Sequence, residues 1–443
     1  MDPSHLDPES KCPPDSTSLP DIEKPKVYPI RWLILALFVF FSASNAMQWI
    51  QYTIISNVIR DYYNVSTDWV NWTSLIYMIL YIPFIFPGSY LLEKLGLRLA
   101  ILIGIFGTCL GAWIKVASVD PCRFYIGFVG QSIVALSQVF VLSVPARLAA
   151  IWFGPDQVSS ACSIGVFGNQ IGVAAGFVIP PMIVTGGTIS EVTMQLYILF
   201  IGVAILTSII LLLMLLFFKN APPTPPSYAA QQQAEESVDF KQSLINLFKN
   251  RSFVLLLMAY GINVGVFYAI STLLSDIILR FYEGAEQDAG RIGLVITVAG
   301  MVGSVCCGYI LDRSRKFKET TIVVYAFSLI GMLIFTFTLN KGLYVVYLVS
   351  GFLGFFMTGL LPVGFELGSE LTYPEPEGTQ AGLLNAASQV FGIGFTNMYS
   401  KLFYDNNDTW ANISMCISLA VGLFMISCVS SKLRRQAAVT TEK

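Results

Sequence analysis

The sequence predicts an all-α polytopic membrane protein, with twelve transmembrane helices in two pseudo-symmetric six-helix halves. Three observations lead there. The 443-residue chain is 55% hydrophobic and only 12% charged, about half the charged share of a soluble domain. Apolar runs such as Trp32–Phe41 and Leu196–Phe218 recur along its length. In lipid only helices and closed barrels satisfy their own backbone, and a helix crosses with about 20 apolar residues. Features of the first half also return in the second at a constant spacing.

Taken in order, residues 1–29 are polar and rich in Pro, Asp and Ser, and read as a disordered tail without the apolar centre of a signal peptide. The first half, 30–218, holds helices at about 31–59, 73–93, 97–118, 123–150, 155–184 and 193–218, divided at Gly, Pro and charged residues. A Pro-rich, then Gln- and Glu-rich stretch opens a flexible linker over 219–251. The second half, 252–431, holds helices at about 252–280, 290–311, 319–339, 342–371, 377–402 and 409–431, and a polar tail of 432–443 follows.

An even helix count puts both termini on one side. If that side is the cytoplasm, 19 of the 26 Lys and Arg residues fall inside, among them Lys219, Lys249, Arg315 and Arg434, as the positive-inside rule demands. Of five Asn-x-Ser/Thr sequons, Asn64, Asn71, Asn407 and Asn412 then lie outside and Asn250 inside. Asn64 and Asn407 are the expected glycosylation sites, since Asn71 and Asn412 lie close to the membrane. Most of the eight cysteines fall in apolar runs, and the sole histidine, His5, is in the tail. No disulfide framework or metal motif is expected.

The halves resemble each other at a spacing of 219 residues. Glu93-Lys94 recurs as Asp312-Arg313, Pro155 as Pro374, Gln170 as Gln389, and Trp49 as Tyr268. Two six-helix repeats are the sequence signature of the major facilitator superfamily, whose sites lie near the bilayer midplane between the halves. The loops "GSYLLEKLGLR" and "GYILDRSRKFK" also resemble that superfamily's acidic-basic loop motif, which the second keeps more closely. On that reading Glu93, Lys94, Asp312 and Arg313 are gating residues.

Ionisable groups at the membrane centre are functional candidates by default, and here they are scarce. Lys115, Arg147, Asp276, Glu366 and Glu370 fall toward helix ends. With no central carboxylate, facilitated movement is favoured over proton coupling, and Glu366 is the counter-candidate. The centre instead holds neutral amides and aromatics. Asn45 and Trp49 share a face of helix one, Gln138 lies mid-way along helix four, Asn263 and Tyr268 belong to helix seven, and Asn385 and Gln389 share a face of helix eleven. Gln48 and Gln170 are further cavity candidates. Packing and interhelical hydrogen bonding are the ordinary roles of such residues. Their conjunction suggests two aromatic faces meeting across a pseudo-twofold axis, which suits a quaternary ammonium that attracts π-faces and donates no N–H.

At these residues the chain resembles the feline leukaemia virus subgroup C receptor family of the major facilitator superfamily. The stretches "SASNAMQWIQYTIISN", "GAWIKVAS", "QVFVLSVPARLAAIWFGP", "GNQIG", "GVFYAISTLLSD" and "YPEPEGTQAGLLNAASQVFGI" carry the resemblance across nearly the whole helical region. It implies twelve helices and transport of choline, in some members ethanolamine, with a longer-standing assignment of some members to heme. It implies Trp49 and Tyr268 as the aromatic pair, with Asn45, Gln138 and Gln389 as polar contacts. Heme is the alternative substrate, disfavoured by the lack of a membrane histidine. An intramembrane enzyme lacks its catalytic histidine, and a non-transporting receptor leaves the duplicated halves unexplained. The expectation is a monomeric plasma-membrane glycoprotein acting as a uniporter, with an intracellular membrane as the alternative. Its expected partners are the bilayer and a small molecule, with no cofactor and no nucleic acid.

Overall fold

The computed structural model describes residues 27–142, 144–154, 157–224, 240–314, 316–372, 375, 377–405 and 408–430. Twelve long helices run through them. Helix α1 starts as Ile30–Ile50 and resumes through a 3-10 turn, Thr53–Ile55, into Ser56–Tyr63. Helices α2 (Thr67–Leu92) and α3 (Lys94–Ala117) are nearly continuous. They part at Gly96, whose φ of 80° needs a residue without Cβ. Helix α4 runs in pieces, Phe124–Ser137, Val139–Leu142 and Val144–Trp152. Then come α5 (Val158–Ile183), α6 (Ile189–Phe217), α7 (Arg251–Phe281), α8 (Glu286–Ser314), α9 (Phe317–Thr338), α10 (Leu343–Thr372), α11 (Glu377–Tyr404) and α12 (Asp408–Ser427). A short amphipathic helix, Phe240–Lys249, precedes α7 in the linker.

Local chemistry sets several of these ends. Thr188 and Glu191 form a reciprocal capping box at the start of α6. Asn250 caps α7, its Oδ1 accepting from the Phe253 N–H, and its amide also donates to the Leu371 carbonyl at 2.9 Å. That sequon is thus a structural cap. Asn71 and Asn412 are buried, whereas Asn64 is exposed at the end of α1 in a left-handed conformation (φ 50°) that Asn tolerates. Asn407 and the Pro155–Pro374 pair lie outside the described residues.

Eleven of these helices are long and apolar enough to cross a membrane. The twelfth, α11, is as long but more polar. It carries Gln380, Asn385, Gln389 and Asn397; Gln380 and Gln389 are buried, and Gly261 and Gly265 bring α7 close against it. Two helices depart from the simple spans of the sequence reading. α1 loosens at Gln51–Tyr52 and α4 at Gln138, both beside the cavity described below.

Glycines set the closest crossings. Gly168, Gly172 and Gly176 recur every fourth residue of α5 and lie against the backbone of α1 at Val39, Ala43 and Met47. A Cβ at Gly176 would stand 2.7 Å from the Met47 carbonyl oxygen, and one at Gly172 would overlap that of Ala43. Membrane helices lack a hydrophobic drive toward one another, so such small-residue stripes, which admit backbone contact, do much of the packing. Gly261 and Gly265 of α7 meet α11 in the same way, and Gly354 of α10 meets the Ile296 carbonyl of α8.

The internal repeat survives in three dimensions. Lys94 donates to the Tyr90 hydroxyl at 3.1 Å, and Arg313 to the Tyr309 hydroxyl at 3.2 Å. These four residues keep the 219-residue spacing. The two basic groups are exposed, and each donates to the tyrosine four residues before it. The side chains of Glu93 and Asp312 lie outside the described set. At the end of the bundle away from the termini, the halves are laced together. Ser56 Oγ donates to Asp276 Oδ1, Asn57 Nδ2 to Glu286 Oε1 at 3.1 Å, and the Ser74 and Thr272 hydroxyls meet at 2.9 Å. The Tyr404 hydroxyl donates to the other oxygen of Asp276 at 2.7 Å.

Candidate functional site

Mid-way along the bundle, α1, α2, α4, α5, α7, α10 and α11 surround a small cavity of about 50 Å3. Trp49 of α1 and Tyr268 of α7 meet there edge to face, with ring centroids 5.3 Å apart and planes at 77°. Gln138, Asn169, Gln170 and Gln389 supply amides to the wall, and Tyr77, Phe267 and Met78 complete its apolar part. Gln389 and Tyr268 line the same cavity. Trp49 Nε1, Gln138 Oε1, Asn169 Nδ2 and the Tyr77 hydroxyl are buried without a protein partner. Orphaned polar atoms of this kind are costly in an apolar interior, and four of them belong to residues of this one cavity.

Helix geometry explains why these side chains project there. α4 loosens at Gln138, whose side chain lines the cavity. α1 ends its first segment one residue beyond Trp49. Interrupted helices at binding sites are a recurring device of transporters.

The structure brings together five of the nine residues the sequence analysis named. Trp49, Tyr268, Gln138, Gln170 and Gln389 all line the cavity. Asn45 does not. It is fully buried, with its amide donating to Thr108 Oγ1 at 3.1 Å and to the Val134 carbonyl at 3.0 Å. It braces α1 against α3 and α4. The four-residue spacing put it on the face of Trp49, but α4 packs over that part of the face. Gln48 turns its amide back to the Ser44 carbonyl at 3.1 Å. Asn263 is buried and Asn385 half-buried, both away from the cavity lining. Two contributors were missed. Asn169 stands next to Gln170 in "GNQIG" and was visible as a mid-helix amide. Tyr77 was not, because α2 was not counted among the lining helices.

Among the described residues no Asp or Glu lines this cavity. Asp276 is tied up at the closed end of the bundle, and Glu366 is exposed. One buried cation lies nearby. Lys115 is 1% exposed, and its ammonium donates to Gln51 Oε1 at 3.2 Å and Gln131 Oε1 at 2.8 Å, with the Tyr52 ring 5.8 Å away.

Comparison with known proteins decides the family. The profile of the Major Facilitator Superfamily matches residues 32–396. The choline/ethanolamine transporter flvcr2a of Danio rerio is 46% identical over 98% of this chain and 93% of its own length. The chain belongs to the feline leukaemia virus subgroup C receptor family of the major facilitator superfamily. A facilitator-type transporter of Caenorhabditis elegans, described as uncharacterised, is 50% identical to this facilitator over 94% of the chain and 72% of its own length. Among solved structures, a bacterial homologue of the lysosomal transporter Spinster, in an inward-facing and occupied conformation, superposes with a TM-score of 0.68. It covers 92% of this chain and 98% of its own at 11% identity, a likeness of fold alone. The facilitator is therefore a transporter and not an enzyme, and its twelve helices and duplicated halves are those of its superfamily.

Proposed function

We propose that this facilitator carries choline, and ethanolamine with it, across the membrane down its electrochemical gradient, with the cation held between Trp49 and Tyr268. The observation that carries the reading is the aromatic pair in a cavity free of carboxylates and furnished with amides. A trimethylammonium group has no N–H to offer a carboxylate. Aromatic faces attract it by about 0.5–2 kcal/mol each, more where water is excluded. Gln138, Asn169 and Gln389 are placed to hold the hydroxyl end. The relatives named as choline/ethanolamine transporters support the same substrate class. Lys115 offers an internal precedent, since the fold already satisfies a buried ammonium with two glutamine oxygens and a tyrosine face.

The rings touch one another, and about 50 Å3 is less than the liquid volume of two waters. The cation must part Trp49 from Tyr268 to enter, so binding is coupled to separation of the halves. Heme needs a pocket of several hundred Å3 and would gain from an axial ligand, for which the cavity offers only Met78 and Tyr side chains. We propose that both termini lie in the cytoplasm, on the distribution of the Lys and Arg residues, and that the protein sits at the cell surface, on its outward sequons. Asn64→Gln is then expected to remove a glycan-dependent shift on a denaturing gel. A chain whose mobility is insensitive to both glycosidase and Asn64→Gln would refute that orientation or its glycosylation.

The deciding experiment is uptake of radiolabelled choline by cells expressing the chain, with ethanolamine and heme as competitors. Saturable uptake blocked by ethanolamine supports the reading. Absence of choline flux in either direction overturns it. If choline moves alone as a cation, a potential of about −60 mV contributes roughly 1.4 kcal/mol, or about tenfold accumulation. Depolarisation with high external potassium is expected to lower steady-state accumulation by that factor. Uptake indifferent to potential would mean that a second ion compensates the charge.

A further inference from the structure

The buried clasp between Lys115 and Gln131 lies outside the cavity yet grips two of its walls. Gln131 of α4 is fully buried. Its Oε1 accepts from the Lys115 ammonium at 2.8 Å, and its Nε2 donates to the carbonyls of Gln48 at 2.8 Å and Thr73 at 3.2 Å. Gln48 directly precedes Trp49. Thr73 lies one helical turn before Tyr77, so its carbonyl is the one to which the Tyr77 N–H bonds. A single amide therefore fixes the backbone beneath two cavity aromatics on two different helices. It also supplies an acceptor at the end of an α-helix segment with a donor, where carbonyls lack intrahelical partners.

The ammonium decides which way that amide faces. A glutamine amide can rotate by half a turn and exchange its oxygen and nitrogen. Beside a buried Lys115 only the oxygen can face the charge, which forces both N–H bonds toward Gln48 and Thr73. Gln51 Oε1 and the Tyr52 ring complete the surroundings of the ammonium, and no carboxylate lies within 4 Å of it among the described residues to compete for the role. We propose that Lys115 and Gln131 are positioning residues for the cation cage, a charge-oriented amide that sets the separation of Trp49 and Tyr77. The inference rests on the cage reading above and adds to it two residues that touch no substrate.

The test is choline uptake kinetics at matched surface levels. Gln131→Glu keeps the shape and can still pair with Lys115, but withdraws both N–H donors. It is expected to raise KM at least tenfold while leaving Vmax within about threefold. Lys115→Met frees the amide to turn and is expected to act in the same direction, whereas Lys115→Arg retains the charge and stays near the intact chain. Should Gln131→Glu fail to reach the surface, Gln131→Asn shortens the reach and is expected to give the same KM rise. A purely structural role would lower surface amount and leave KM unchanged, and that result overturns the proposal.

If the intact chain moves no choline, the choline reading fails on its own, and positioning is decided without transport. Ala46 lines the cavity. The rate at which trimethylammonioethyl methanethiosulfonate modifies Ala46→Cys, above the reaction of the native cysteines, is expected to change at least fivefold in the Gln131→Glu background. An unchanged rate overturns the inference.

Discussion

Trp49→Ala and Tyr268→Ala are each expected to abolish saturable choline uptake at matched surface levels. Among the described residues these two rings meet across the cavity from opposite halves, and on the proposed reading they supply the attraction for the charge. Each face contributes about 0.5–2 kcal/mol by itself and more when dry, and each 1.4 kcal/mol is tenfold in affinity. Losing one face also lets water into the site, so uptake clearance is expected to fall at least about thirtyfold. Trp49→Phe and Tyr268→Phe separate the contributions. Both keep a π-face and are expected to retain transport within about tenfold. Tyr268→Phe additionally removes the phenol hydroxyl. Full activity in Trp49→Ala would exclude the aromatic cage whatever the substrate proves to be.

Gly172→Val is expected to cost the chain its fold. The added carbon would overlap the Ala43 carbonyl oxygen and crowd the α1 backbone itself, which cannot swing aside as a side chain does. Overpacking typically costs about 1–3 kcal/mol, and more where backbone must move. Gly168 and Gly176 hold the same crossing in register on either side, so α5 has no room to slide. The measurement is the amount of mature protein and its melting temperature in detergent. Gly202→Ala, in α6, is the control. Nothing lies within 4 Å of its added carbon, and replacing a mid-helix glycine stabilises by roughly 0.5–1 kcal/mol. Equal behaviour of the two variants would dismiss the glycine stripe as a packing determinant.

The helix count, the duplicated halves and the aromatic pair were legible because each has a simple period. Apolar runs mark crossings, and a fixed spacing relates Trp49 to Tyr268 and Gln170 to Gln389. The spacing paired Lys94 with Arg313, but not the tyrosine four residues earlier that each of them reaches. What failed was direction. Asn45 and Trp49 share a helical face, but a face is about 100° wide, and the α4 backbone at Val134 took one part of it while the cavity took the other. Gln131 and Lys115 were unreadable for a related reason. Their effect passes through the backbone carbonyls of other helices, which leave no mark in the sequence.

The ammonium clasp belongs to one half alone. At the 219-residue spacing Lys115, Gln131 and Gln51 correspond to Ile334, Ser350 and Ile270, and the Ser350 hydroxyl is buried without a partner. Since their duplication the halves have thus divided their labour. Trp49 stands on a wall pinned by four side-chain hydrogen bonds, while Tyr268 rides an uninterrupted helix without the corresponding pins. On the proposed cage, an arriving cation that spreads the two rings is expected to meet an anvil at Trp49 and a spring at Tyr268.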